Sequence, residues 1–323
     1  MEISTTGWLL FNGFLLAMLA LDLGVFHRKA KVIQPREALM WSGVWIGIAG
    51  IFAVFVYIWQ GSQFGTEFLT GYLIEKTLSI DNVFVFVLIF SYFKVPAQYQ
   101  YRVLFWGVVG ALVMRGALIL AGSALLSNFH WLIFVFGGFL VVSGIRMAFH
   151  DESKSDPGRN PVLRLVKKIV PTSDEYDGQK FFTRRTGMLM ATPLFAVLVV
   201  VEATDLVFAV DSIPAIFAIT DEPFIVYTSN ALAILGLRAL YFALAGVMHK
   251  FTYLKTGLSL VLVFVGVKML ASDVYHMPAY ASLVVIVAIL GAAIGVSLMK
   301  AKPETEHSIE SGQASVDSLQ REI

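Results

Sequence analysis

Residues 68–92 read FLTGYLIEKTLSIDNVFVFVLIFSY. This run is long enough to cross about 30 Å of hydrocarbon, yet it holds Glu75, Lys76 and Asp81. The chain around it has 323 residues, 57% of them hydrophobic and 15% charged, with a mean hydropathy of +0.75. A water-facing globule of that length needs more charged surface, so lipid must form most of the surroundings. An ionised group at the bilayer centre costs at least about 2.5–3.5 kcal/mol, and the charges of this run must therefore face protein, water or an ion.

Working outward, apolar runs of spanning length fall near 7–26, 39–59, 68–92, 103–125, 131–148, 190–219, 224–247, 256–272 and 279–299. The expectation is an all-α polytopic membrane protein of about nine transmembrane helices. The run 7–26 has no basic segment before it and no small-residue cleavage site after it, so it reads as a span rather than a signal peptide. Basic residues test the partition. Arg28, Lys29, Lys31, Arg36, Lys94, Arg102, the loop 149–186, Lys250, Lys255, Lys300 and Lys302 all fall on one side. The connections 1–6, 60–67, 126–130, 220–223 and 273–278 contain neither lysine nor arginine. By the positive-inside rule the N-terminus lies outside and the C-terminus in the cytoplasm. Trp8, Trp59 and Trp131 then mark outer ends and Trp41 an inner end.

The transmembrane unit so defined covers 1–302. Within the loop 149–186, residues 161–170 fit either a short basic helix on the inner leaflet or a solvated linker. The polar tail 303–323 has few aliphatic residues and is expected to be disordered.

The stretch Glu75-Lys-Thr-Leu-Ser-Ile-Asp81-Asn82 has a counterpart in Asp205-Leu-Val-Phe-Ala-Val-Asp211-Ser212, each with two acids six residues apart. Arg115-Gly116-Ala-Leu answers Arg238-Ala239-Leu, and Gly144-Ile-Arg-Met147 answers Gly266-Val-Lys-Met269, in the same order. Each unit covers three spans, repeat A about 68–148 and repeat B about 190–272, so the two enter the membrane from opposite sides. Inverted repeats of three-helix units are the architecture in which secondary transporters place a substrate site near the midplane.

The acids of spans three and six are accompanied by extra oxygen donors. Glu202 and Asp205, three apart, share a helix face. Asp205 and Asp211 point about 120° apart on an ideal helix, so a common ion requires a distorted backbone. Pro214 supplies the expected break, freeing the Val210 carbonyl beside Ser212. Asn82 offers the equivalent neutral oxygen next to Asp81. Arg115 and Arg238 are expected to compensate the acids' charge. Arg146, Lys268 and Lys76 either pair or reach toward span ends, and Asp22 is a wetted structural acid or a ligand. An all-oxygen set suits Mg²⁺, Ca²⁺ or Mn²⁺. There is no cysteine, and His27, His130, His150, His249, His276 and His307 fall in connections, span ends or the tail, which speaks against zinc and copper.

The two motifs, Glu75-Lys-Thr-Leu-Ser-Ile-Asp81-Asn82 and Glu202-Ala-Thr-Asp205-Leu-Val-Phe-Ala-Val-Asp211-Ser212-Ile-Pro214, resemble the paired signature of the TerC family, and the likeness runs from about residue 7 to about 300. The resemblance implies an inner-membrane protein linked to manganese export, with Glu75, Asp81, Asp205 and Asp211 as ion ligands. The expected function is a secondary transporter that exports a hard divalent cation, Mn²⁺ above Ca²⁺ or Mg²⁺, by alternating access with a proton as counter-ion. No Gly-x-x-x-x-Gly-Lys, His-Glu-x-x-His or Gly-x-Ser-x-Gly motif occurs, so an enzyme is not expected. The net charge of +1 argues against a nucleic-acid partner. The alternative is a membrane scaffold or modulator in tellurite or redox stress without transport of its own. Oligomeric state is not readable from the sequence.

Overall fold

Prolines and glycines set the helix boundaries. In the computed structural model, which describes residues 3–24, 34–129, 131–149, 171–173, 175–185, 188–245, 253–275 and 277–300, α1 spans Thr5–Gly24 and α2 spans Pro35–Gln60. Pro35 opens α2 at a position where its missing N–H has no helical partner to lose. Gly61, at φ +99°, turns the chain directly into α3, Ser62–Tyr92. A side chain there would meet the steric penalty that only glycine avoids. Helices α4, Ala97–Asn128, and α5, Leu132–Phe149, follow.

A two-stranded antiparallel hairpin comes next, β1 (Phe182–Arg185) and β2 (Met188–Ala191), with Phe182 opposite Ala191 and Arg185 opposite Met188. This small sheet is not expected of an all-α chain. It also moves the start of the sixth span from 190 to Pro193, the first residue of α6, Pro193–Phe217. Helices α7 (Pro223–Leu235) and α8 (Leu237–Leu244) form one bent unit with a 41° angle at Gly236. Helices α9, Leu254–Leu270, and α10, Ala279–Lys300, complete the described chain. Residues 161–170, the tail 303–323 and all six histidines lie outside the described residues.

Every expected span meets a helix or, for α7 and α8, a bent pair. Among the described residues, six helices are long and apolar enough to cross a membrane, or seven if the bent pair is one span. Helix α3, which carries Glu67, Glu75, Lys76 and Asp81, is not among them, and neither is α9 with its 17 residues.

The distribution of polarity is that of a lipid-solvated bundle. Ile58 is 78% and Ile51 74% exposed on α2, whereas Arg115 in the middle of α4 is 1% exposed. On α4 itself Val113, two residues away, is 70% exposed. A soluble protein would place these two the other way round. The chain is a polytopic helical membrane protein.

Segments that correspond in the two sequence units pack on each other: α3 on α6, α4 on α7, and α5 on α9. The α5–α9 contact is the most extensive of the three. A methyl group at Gly266 would lie 2.7 Å from the Gly137 carbonyl oxygen, and one at Gly144 would lie 2.8 Å from the Ser259 carbonyl oxygen. Without a hydrophobic driving force between lipid-solvated helices, such backbone contact supplies much of the attraction.

Candidate functional site

The site is built where α3, α4, α6 and α7 meet. Arg115 of α4 donates from Nε to Asp205 Oδ2 at 3.0 Å and from Nη2 to Asp205 Oδ1 at 2.9 Å. Its Nη1 forms an ion pair with Glu75 and donates to the Ser212 hydroxyl at 3.2 Å. Asn230 of α7 completes the group, its Nδ2 donating to Glu75 Oε2 at 3.0 Å. Glu75, Arg115, Asp205, Ser212 and Asn230 are each no more than 2% exposed. A planar guanidinium with five donors can clamp one carboxylate with two of them and still reach a second carboxylate and a hydroxyl. Desolvated charges of this kind are tolerable because every partner is hydrogen-bonded.

Asp211, one and two-thirds turns beyond Asp205 on an ideal helix, looks elsewhere: its Oδ1 accepts from the Ser143 hydroxyl of α5 at 2.9 Å. The expected break at Pro214 does not occur. Helix α6 continues through Pro214 to Phe217, with the proline only three residues from its end. The two aspartates consequently keep the divergence of a regular helix. The break in this part of the bundle lies at Gly236 instead, where Lys76 Nζ donates to the Ala233 carbonyl at 3.4 Å. Carbonyls in a helix's last turn lack their own partners, and a lysine there meets the negative end of the dipole.

A small cavity of about 10 Å³, room for about one water, is lined by Glu75, Asn82, Arg115, Asp211 and Ser212, with Leu78, Met147 and Phe208. Four of the seven expected ligands therefore border one space. Asp205 is held by Arg115 just described. Glu202 lies a turn before it, with its carboxylate pressed against Gly110 of α4, and Glu202 Oε2 is buried without a hydrogen-bond donor among the described residues. The helical backbone of α3 includes Asp81, whose side chain is outside the described residues. Among the described residues no three acidic or histidine side chains surround one metal-sized point.

Arg238, expected to compensate the midplane acids, does so for a different one. It forms an ion pair with Asp22 of α1, hydrogen-bonds the Tyr101 hydroxyl, and lies 4.8 Å from the Tyr101 ring centre and 5.2 Å from that of Phe105. Asp22 is accordingly buried, at 9% exposure, rather than wetted. The two arginines that correspond in sequence have different partners: Arg115 binds across α3 and α6, and Arg238 ties α8 to α1 and α4.

Sequence reasoning missed Asn230, Ser143, Tyr101 and Glu67. The first three are neutral polar groups that gain meaning only from the acid or cation opposite them. Glu67, 5% exposed and hydrogen-bonded by Gln63 at 2.9 Å, precedes the apolar run and reads as part of a connection, but α3 starts five residues before it.

The family model described as "Integral membrane protein TerC family" matches residues 60–305. The chain belongs to the TerC family. It is 52% identical to "Uncharacterized membrane protein STKORF319" of Myxococcus xanthus, over 91% of this chain and 92% of that protein. It is 48% identical to "Putative membrane-bound redox modulator Alx" of Escherichia coli (strain K12), over 87% of this chain and 92% of the relative. A Rickettsia bellii membrane protein is 40% identical over 91% of this chain and 97% of its own length. No solved structure matches the chain.

Proposed function

We propose that this TerC-family protein is a secondary transporter, not an enzyme, that exports a hard divalent cation, Mn²⁺ ahead of Ca²⁺ or Mg²⁺, across a bacterial inner membrane. Its substrate is the metal ion, its solvent the bilayer and its counter-ion a proton. The observation that carries the reading is the meeting of Glu75 and Asp205, one from each sequence unit, on a single buried point between α3 and α6. Ionisable groups kept at such depth at this expense mark ion pathways more often than packing. The oxygen donors of Glu75, Asn82, Asp211 and Ser212 along the cavity suit a hard cation, and manganese comes from the family resemblance. In alternating access the units containing α3–α5 and α6–α9 act as inverted repeats that rock against each other, with the N-terminus outside. Cation arrival releases protons from carboxylates, which gives the proton its place in the cycle.

A modulator without transport is favoured by one observation: Glu75 and Asp205 are both engaged by Arg115, and the adjoining cavity holds about one water. The name of the Escherichia coli relative accords with that reading. Purified protein in liposomes decides. Mn²⁺ flux from wild type, abolished in Glu75→Gln and Asp211→Asn variants that still insert, supports the transporter. Flux absent from wild type supports the modulator, and normal flux in either variant refutes the site.

A further inference from the structure

We propose that Arg115 is a tethered internal cation that occupies the cargo site when no metal is bound, and that Glu202 receives its guanidinium when metal enters. The inference rests on the transport reading above and names how its site is regulated.

Arg115 holds the oxygens a hard cation would need. Its donors engage both carboxylate oxygens of Asp205, Glu75 Oε1 and the Ser212 hydroxyl, at one point reached from α3, α4 and α6. The space left beside it is about 10 Å³, bordered by Asn82 and Asp211, whose oxygens Arg115 does not engage. If the guanidinium withdrew, the oxygens of Glu75 and Ser212 that it engages would join those of Asn82 and Asp211 around one volume. Hard divalent cations take about six oxygen ligands or more, counting water. Metal and guanidinium therefore compete for the same acceptors and exclude each other.

A displaced guanidinium cannot be left unpaired in a desolvated bundle, and the structure holds an independent feature that meets this demand. Glu202 of α6 lies against Gly110 of α4, and one of its oxygens is buried without a hydrogen-bond donor among the described residues. Gly110 is five residues from Arg115 on α4, about 7.5 Å along the axis, and Glu202 is one turn from Asp205 on α6. The extended arginine side chain spans much of that interval. Gly110 is what admits the carboxylate there: a Cβ at that position would collide with it. Arg115 thus has two stations on the α4–α6 interface, one over Glu75 and Asp205 and one beside Glu202, and the metal selects between them.

This arrangement predicts opposite signs for two substitutions. Arg115→Lys keeps the charge but loses the bidentate fork, which weakens the metal-free station. If the occupied station dominates by about ten to one, apparent Mn²⁺ affinity of the variant tightens by up to about tenfold. Glu202→Gln removes the charge of the receiving station, so Mn²⁺ affinity weakens, by about tenfold on the same reasoning. Binding is read by electron paramagnetic resonance of free Mn²⁺ over detergent-purified full-length protein, with thermal melting without metal to verify folding. In the double variant the effect of Glu202→Gln shrinks, because the introduced ammonium depends less on that acceptor than the guanidinium does; a mere ligand role for Glu202 would leave it unchanged. Unchanged or weaker binding by folded Arg115→Lys, or unaltered binding by Glu202→Gln, overturns the proposal. Should Arg115→Lys fail to fold, unaltered Mn²⁺ binding by folded Glu202→Gln still overturns the proposal. Absence of both Mn²⁺ binding and flux in wild type would instead defeat the transport reading.

Discussion

At the scale of single residues, the site behaves as a set of mutually dependent charges. Arg115 is the member whose loss leaves most behind, since Glu75 and Asp205 would both remain buried without a cation. Arg115→Ala is expected to destabilise by about 3–5 kcal/mol, seen as loss of folded protein in detergent and a lowered melting temperature. Asn230→Ala removes one neutral donor from Glu75, which keeps Arg115, so the expected cost is smaller, about 1–3 kcal/mol. A ranking in which Asn230→Ala proved the more damaging would contradict this network. The identity of the charges was legible in the sequence because acids and arginines stand out in apolar runs. Their pairing was not: Arg115 and Arg238 occupy corresponding sequence positions, yet one faces two acids across the bundle and the other Asp22 and two rings.

At the scale of elements, hydropathy located the helices and misjudged their ends. Helix α3 begins at Ser62 and α4 at Ala97, each six residues before the apolar run expected there, because polar residues near an interface can remain helical. Pro214 pointed to a break that α6 does not show, while Gly236, unremarkable in sequence, marks the bend between α7 and α8. The glycines of α5 make a sharp test of packing. Gly137→Ala places a methyl 3.0 Å from the Gly266 carbonyl oxygen, whereas a methyl at Gly138 meets nothing within 4 Å. The first substitution is expected to destabilise the α5–α9 pair by about 1–3 kcal/mol and the second to be neutral or mildly stabilising, since alanine is the better helix former. Melting curves of the two variants side by side measure the difference.

At the scale of the whole molecule, orientation is the property most directly testable, and the absence of cysteine makes the test clean. In the proposed topology Ser62, exposed at the start of α3, faces outside, and Lys180, exposed before the hairpin, faces the cytoplasm. A membrane-impermeant maleimide is expected to label Ser62→Cys in intact cells and Lys180→Cys only after permeabilisation. Labelling in the reverse pattern would invert the topology.

The sequence by itself determined that the chain lives in lipid, where its helices lie, and that ionisable groups are held among them, because hydrophobicity and chain length act residue by residue along the polymer. Only the tertiary structure decided which charges share a point, that α6 stays helical through Pro214, and that a guanidinium sits over Glu75 and Asp205. Those outcomes depend on side-chain direction and on how closely glycines let neighbouring helices approach, and neither quantity is carried by spacing along a single helix.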